Sequence, residues 1–367
     1  MKQTVEKKIV DEFKKTRYRY EALDKIVFDK LSSIIEDKNY FVMDIAHRVK
    51  EVDSLRQKVH KKTGKYSSIR DITDLCGYRI ICYFGDTVDA IASSLAEYFV
   101  IDTENSIDKG KNLMATEFGY ASLHYICSLP ENDEYPSDLC NIPFEVQIRT
   151  VLQHAWAEIE HDLGYKSDFG VPRAIRREFS RVASLLEVAD ERFVGLRNGT
   201  NEYLMDVRTK IANGEANDLP LDQVTLKEYI TRNKRYLRVV DEAKKILHVE
   251  VIASDISRFV IQLDYLGVKT LGDLVMMFRK NQSYLIGMIK EKVETMDLDI
   301  VTTSMILRYL CRAELVLGKY TKGQIYRFLL LSSKEDSAEK SANIISEISA
   351  KYWAEHAPAS NPVEEII

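Results

Sequence analysis

The chain has 367 residues, 45% of them hydrophobic and 30% charged, with only 15 Gly and 7 Pro. At roughly 100–200 residues per domain this is about two domains with ordinary cores, which excludes a disordered, collagen-like or low-complexity chain. The net charge of −5 argues against a nucleic-acid coat, although a global sum hides local patches. Five cysteines (Cys76, Cys82, Cys127, Cys140 and Cys311) include no CxxC pair, so they suggest neither a zinc site nor a redox motif and suit a reducing cytosol. The opening MKQTVEKKIVDEFKK has no apolar h-region, and no apolar run approaches the ~18–20 residues that span a bilayer. A soluble, cytoplasmic protein with no membrane partner is expected.

In chain order, residues 5–38 read as helix, with Ile9, Phe13, Tyr20, Leu23, Val27, Leu31 and Ile34 recurring at three- and four-residue steps. A second helix is predicted from about Tyr40 to His60. The period then changes: Gly77–Phe84 (GYRIICYF) reads as a buried strand, Val88–Phe99 as helix, 101–119 as loop, and Tyr120–Leu129 and Pro143–Arg149 as strands. Val151–Tyr165 is an amphipathic helix with Val151, Leu152, Ala155, Trp156, Ile159 and Leu163 on one side. Arg173–Leu196 is another, with Ile175, Phe179, Val182, Leu185, Leu186 and Ala189 expected to face inwards. The polar stretch 198–222, with Gly199, Gly214 and Pro220, reads as a linker in which Tyr203–Ala212 can continue as helix. From Thr225 to Trp353 the pattern is helical, and no internal repeat is evident. The fold class is therefore α+β: a mixed sheet flanked by helices, followed by an all-α C-terminal domain. The boundaries expected are an N-terminal helical segment at 1–45, a mixed-sheet domain at 46–200, an all-α domain at 215–355 and a frayed tail at 356–367.

Four features carry chemistry. Asp74 lies at the mouth of one strand and Glu145 opens another; two carboxylates on neighbouring strands can hold a divalent cation that bridges nucleotide phosphates, or they can simply cap strands or pair with Arg79 and Arg149. Residues 47–70 hold eight cations, including Arg48, Lys50, Lys58 and Lys62, against Glu51 and Asp53, a local net of +6. Such a segment suits a polyphosphate, or is a solvated helix face. On a strand, Tyr120, Ser122 and His124 share one face, where a ring, a hydroxyl and an imidazole can meet a base and a phosphate. His154, Glu158 and Asp162 share a helical face and can support a site from behind; the His161-Asp162 pair lacks the further ligands of a phosphohydrolase. In the C-terminal half, Leu263–Leu274 (LDYLGVKTLGDL) has the apolar-Gly-apolar turn of a helix–hairpin–helix, more simply a tight helix–helix turn. The stripe Ile306, Tyr309, Leu310, Ala313 and Leu317 reads as core.

Taken together and in this order, HRVKEVDSLRQKV (47–59), RDITDLCGYRIICYF (70–84), FGYASLHYI (118–126) and FEVQIRTVLQHAWAEIEHDLGYK (144–166) resemble the RelA/SpoT family of alarmone synthetases over about residues 46–196. The resemblance implies a nucleotidyltransferase-like mixed sheet and a GTP diphosphokinase, which moves pyrophosphate from ATP to the 3′-hydroxyl of GDP or GTP and makes (p)ppGpp and AMP for stringent-response-type signalling. It implies Mg²⁺ as cofactor, with Asp74 as ligand and Glu145 as second acid, ligand or base. It places Arg48, Lys50, Ser54, Lys58 and Arg79 on ATP, and Tyr120, His124, Gln147, Arg149, His154 and Glu158 on the acceptor side.

Many members carry a KxNGYRS-like pattern where this chain has Thr116, Phe118 and Ala121, which leaves the acceptor open between guanine nucleotides, adenine nucleotides and the 3′ end of tRNA. Only about 45 residues precede the matching blocks, so no hydrolase domain is expected. A toxic relative with another acceptor and a non-catalytic nucleotide sensor are the competing readings. The C-terminal helices are expected to serve a homo-oligomer or a regulatory partner.

Overall fold

The computed structural model describes residues 2–108, 122–165, 172–247, 250–296 and 300–356. The chain forms two compact units, Met1–Gly199 and Thr200–Ile367.

The first unit opens with α1 (Lys2–Asp37), which ends where Asn39 takes a left-handed φ of 52°. There follow β1 (Val42–Val49), α2 (Val52–Lys61), β2 (Cys76–Cys82), α3 (Gly85–Tyr98), β3 (Val100–Asp108), β4 (Leu123–Ser128), β5 (Phe144–Thr150) and α4 (Val151–Tyr165). The sheet order is β1-β2-β5-β4-β3; β2 and β5 run parallel and every other neighbouring pair is antiparallel. This is the mixed sheet of the α+β expectation.

One face of that sheet is apolar. Tyr78, Ile80, Phe144, Val146 and Ile148 are buried there, and the Phe144 ring meets Tyr78 and Phe99 edge-on at 5.6 and 5.4 Å. Helix α1 supplies Phe13, Leu23, Val27 and Leu31 to the same buried cluster, and α3 supplies Ile91 and Leu95. The N-terminal helix is thus part of the core. Four of the five cysteines are buried, unpaired thiols in this unit, and burial pushes Cys82 and Cys127 up to about 12.

Two local predictions are corrected. The helix expected from Tyr40 to His60 is strand β1 followed by the shorter helix α2. Val42, Ile45 and Val49 stand three and four residues apart, as on a helix. The spacing arises because β1 is an edge strand with a bulge between Val42 and Asp44, and the bulge breaks the two-residue alternation. The stretch expected as loop from 101 contains β3. That strand is polar and irregular, because Asp102 turns back onto the N–H groups of Glu104 and Asn105, while Ser106 accepts from the Ile126 N–H. The start of the strand predicted at Tyr120 falls outside the described residues.

Helix α5 (Arg173–Asn213) begins in the first unit and ends in the second. It takes up the predicted linker as far as Asn213, including the stretch Tyr203–Ala212 read as able to continue as helix, and stops at Gly214, whose φ of 77° suits glycine. Helix α4 was expected to be amphipathic, and the apolar side of α5 to face inwards. Instead Ile159, Leu163, Ile175, Val182 and Leu185 are exposed, and several of them line an apolar groove with Trp156 and Phe179. Periodicity told which side is apolar, and among the described residues no element covers it.

The second unit contains α6 (Gln223–Arg232), α7 (Lys234–Leu247), β6 (Glu250–Ile252), α8 (Arg258–Tyr265), α9 (Leu271–Met296), β7 (Ile300–Thr302), α10 (Thr303–Leu317), α11 (Lys322–Leu330) and α12 (Glu335–Glu355). It is helical apart from the short parallel pair β6–β7. Side-chain caps start helices here, among them Asp222 for α6, Asn233 for α7, Thr270 for α9, Thr302 for α10 and Thr321 for α11. The predicted stripe Ile306, Tyr309, Leu310 and Ala313 is buried, with Leu317 packed at its edge. No helix among the described residues is long and apolar enough to cross a membrane.

The hairpin between α8 and α9 is a packing turn. A helix–hairpin–helix grips a phosphate backbone with free amides, and here those amides are used internally. Gly267 and Val268 donate to Asp264 and Leu263, Lys269 and Thr270 donate to the Asp273 carboxylate, and Leu271 and Gly272 donate to Leu219 and Asn217.

The place of α1 in the core can be tested with Phe13→Ala. In a Trp353→Phe background, Trp156 remains the sole tryptophan and reports on the first unit. The substitution is expected to lower the unfolding free energy by about 3–5 kcal/mol in a urea titration. A loss under ~1 kcal/mol would make α1 peripheral.

Candidate active site

The other face of the sheet is polar, for a geometric reason. Residues alternate sides along a strand, so burying Val146 and Ile148 turns Glu145, Gln147 and Arg149 to the opposite face. The parallel register sets Gly77 beside Glu145 and Arg79 beside Gln147. The antiparallel register sets Arg48 beside Gly77 and His124 beside Gln147. Four strands from distant parts of the chain thereby aim polar groups at one place. A cleft there is lined by Arg48, Lys50, Asp74, Gly77, Arg79, Glu145 and Gln147. Gly77 leaves its floor open: a Cβ at that position would meet no atom within 4 Å.

Asp74 sits just before β2 with its carboxylate largely buried. Lys50 from the end of β1 and Lys58 from α2 both donate to Oδ2, at 3.0 and 2.5 Å. Oδ1 is buried and has no hydrogen-bond partner. Burial pushes the carboxyl up, but Lys58 and Lys50 outweigh it and the net shift is downward.

Glu145 anchors a second network. His124 Nδ1 donates to Oε1 at 2.8 Å, and Gln147 Nε2 donates to Oε2 at 3.0 Å. The carboxylate thus fixes the imidazole tautomer, leaving Nε2 to accept from Ser122 Oγ at 2.8 Å. The Arg149 guanidinium donates in turn to Gln147 Oε1. Burial raises the Glu145 carboxyl, His124 and Gln147 lower it, and the lowering wins.

Helix α4, which packs on β5 and β2, closes the far side. Arg79 donates to Glu158 at 3.0 Å, with His154 Nδ1 a further 3.7 Å from the same carboxylate oxygen. Arg149 is only 5% exposed and has no ion pair among the described residues. Burial, then the neighbouring Arg79 charge, depresses it to about 10. Burial and the same two arginines lower His154, which keeps it neutral at neutral pH. A buried guanidinium beside a second one, with no carboxylate bound to it, is a place that favours an anion.

Most of the residues singled out in the sequence converge here. Arg48, Lys50, Asp74, Arg79, Glu145 and Gln147 line the cleft, while Lys58, His124 and Arg149 join through hydrogen bonds. Arg48 does so from a strand, so it shares no helical face with Lys58 and Lys62. Ser54 is exposed on the first turn of α2 and is not among the residues that line the cleft. Tyr120 lies outside the described residues, as do Lys109, Lys111, Thr116, Phe118 and Ala121. Gly77 was missed as a site residue, although a glycine inside an apolar strand signals close approach of another group.

The donor set fits a hard divalent cation. It offers two carboxylates held ionised, one with an unengaged buried oxygen, and no sulfur or clustered imidazole. Two acids are too few for an all-protein cage, and Mg²⁺ characteristically takes one or two carboxylates and completes its shell with phosphate oxygens and water.

Residues 47–169 match the family described as "Region found in RelA / SpoT proteins". Two Bacillus subtilis (strain 168) proteins are similar: GTP pyrophosphokinase YjbM, 28% identical over 170 residues covering 46% of this chain and 77% of the relative, and GTP pyrophosphokinase YwaC, 29% identical over 155 residues covering 41% and 71%. Among solved structures, small alarmone synthetase 2 from Bacillus subtilis aligns with 26% identity and a TM-score of 0.44, over 51% of this chain and 99% of that one.

Both carboxylates have lowered pKa values, so each stabilises the fold above the ordinary carboxylate range and loses that contribution as the pH falls through its lowered value. Lys58→Met removes the strongest lowering partner of Asp74, and burial should then raise its pKa. The change is to be read from the side-chain carbonyl resonance in a ¹³C pH titration. An unmoved Asp74 midpoint would show that Lys58 does not hold it.

Proposed function

We propose, from a chain that belongs to the RelA/SpoT family through residues 47–169, that its polar sheet face is a (p)ppGpp synthetase site, an ATP:GTP/GDP 3′-pyrophosphotransferase. The observation that carries this reading is the paired arrangement of Asp74 and Glu145. They are two ionised carboxylates beside adjacent parallel strands, one held by lysines and the other by His124 and Gln147.

The 3′-oxygen of the acceptor attacks the β-phosphorus of ATP. A new P–O bond forms as the bridge between the α- and β-phosphates breaks, AMP leaves, and the hydroxyl proton is released. Lys50 and Lys58 are flexible point charges that can exchange Asp74 for donor phosphate oxygens, with Arg48 beside them. Glu145, kept charged and oriented by His124, accepts the hydrogen bond of the 3′-hydroxyl and takes its proton as the new bond forms. Arg149 and Arg79 hold the acceptor's phosphates, steadied from behind by Gln147, Glu158 and His154. Tyr120 stacks on the guanine and Ser54 contributes on the donor side. Mg²⁺, held by Asp74 and Glu145, would neutralise charge on the transferred phosphates. A cytoplasmic location suits these substrates.

The test is transfer from β,γ-labelled ATP to GDP, GTP, ATP or deacylated tRNA, with and without a chelator. Asp74→Asn and Glu145→Gln are each expected to lower kcat by at least about 10²–10³-fold on GDP while circular dichroism stays unchanged. Chelation should abolish transfer. Label on tRNA with none on guanine nucleotides would overturn the acceptor assignment, and substantial activity in either variant would overturn the site.

A further inference from the structure

The second unit contains a cluster of cations that the pyrophosphotransferase reading does not use. Arg308 and Arg312 stand four residues apart, on one side of α10, and Arg258 is the first residue of α8. All three line a single cavity of about 210 Å³, closed by Ser332 and Ser333 after α11 and by the buried Gln262. No carboxylate forms an ion pair with any of the three among the described residues. Of the neighbouring acids, Asp255 feels the charge of Arg258 but makes no ion pair with it. Asp255 accepts from the N–H and hydroxyl of Ser257, and Glu314 is held by Lys280 and Asn281.

Two of the other polar lining groups, Gln262 and Ser332, are donors too. Gln262 Nε2 donates to Ser332 Oγ at 2.8 Å, which leaves the serine proton for another acceptor. The guanidiniums of Arg258 and Arg312 lie over the rings of Phe259 and Tyr309, 5.2 and 5.7 Å from the centroids, which helps to fix their planes. Burial, then the charges of Arg258 and Arg312, push Arg308 below its usual pKa, and Tyr309 offsets part of that shift.

Three planar donor forks lining one cavity, with Arg258 and Arg308 exposed to solvent, fit a tetrahedral oxyanion, which guanidinium binds through two parallel hydrogen bonds. The aromatic residues that line the cavity, Phe259 and Phe328, are buried, so no face is presented for stacking a base. We propose that Arg258, Arg308 and Arg312 form a second anion site, in the helical unit, that binds the phosphoryl group of a small phosphorylated molecule.

The test is calorimetric titration of the full chain with inorganic phosphate, pyrophosphate and GDP. The wild type, Arg308→Gln/Arg312→Gln and Arg149→Gln would be compared, with Tm measured for each without ligand. For the wild type, pyrophosphate is expected to show a binding event that survives Arg149→Gln. In the double variant that event weakens by about 10–100-fold or disappears. Equal binding of GDP and pyrophosphate at this site assigns recognition to the phosphoryl groups, and tighter GDP binding extends the ligand to a nucleotide. Because removing like charges relieves repulsion, the double variant without ligand should be at least as stable as the wild type. A Tm drop of several degrees would make the arginines structural and overturn the proposal. So would titrations indistinguishable from wild type, or Arg308-dependent binding of single-stranded RNA with none of phosphate or pyrophosphate.

Discussion

The register of β2 against β5 is the constraint on which the rest of the first unit depends. Gly77 faces Glu145 and Arg79 faces Gln147 because Tyr78 and Ile80 must be buried beside Val146 and Ile148. A slip of one residue would send Glu145 and Arg149 into the apolar layer beneath α1 and α3 and bring the apolar set into water. The core and the cleft are thus two consequences of one pairing. Hydrophobic burial selects the register, and the register delivers the charges. Helix α1 shares in this, since it covers the apolar face and so stabilises the site from the side opposite the chemistry.

Two charge arrangements coexist on the polar face. Asp74 and Glu145 are desolvated, which alone would favour their neutral forms, and each is kept ionised by donors from other elements: Lys50 and Lys58 for one, His124 and Gln147 for the other. Arg149 is the reverse case, a buried cation with a hydrogen bond to Gln147 and no ion pair among the described residues. The protein therefore presents stabilised anions on one side of the cleft and an under-compensated cation on the other. In the proposed reaction a phosphorylated acceptor would meet the second, and a cation would meet the first. The low dielectric that makes each group costly to bury also strengthens its interaction with the complementary charge of a substrate.

Much of this was legible in the sequence, and the misses have physical causes. Glu145 and Arg149 stand out because β5 alternates cleanly, so a regular strand prints its two faces into the order of residues. The edge strands do not. The bulge in β1 shifts Val42 out of phase and imitates helical spacing, and β3 is polar because its pairing is sustained by Asp102 and Ser106 turns rather than by apolar burial. Position along the chain gave no hint that Lys50 and Lys58 would share one oxygen of Asp74, because that contact depends on the chain reversing after β1. The apolar stripes of α4 and α5 were readable as stripes. What covers a stripe is a tertiary property, and composition does not encode it.

The choice between lysine and arginine follows the same logic. At Asp74 the partners are lysines, whose long stems and compact charges hold the carboxylate and, under the proposed function, would move to phosphate oxygens when a nucleotide enters. Where no carboxylate is paired, at Arg149 and again at Arg258, Arg308 and Arg312, the residue is arginine. A guanidinium stays protonated under burial and repulsion that would neutralise an ammonium, as the depressed but still basic Arg149 illustrates, and its fork remains oriented without a partner. In these two places lysine carries a charge that the protein pairs with its own carboxylate, and arginine a charge that it leaves without one among the described residues. On that distinction the cluster in the helical unit belongs with Arg149, as a receptor for an anion the protein does not itself supply.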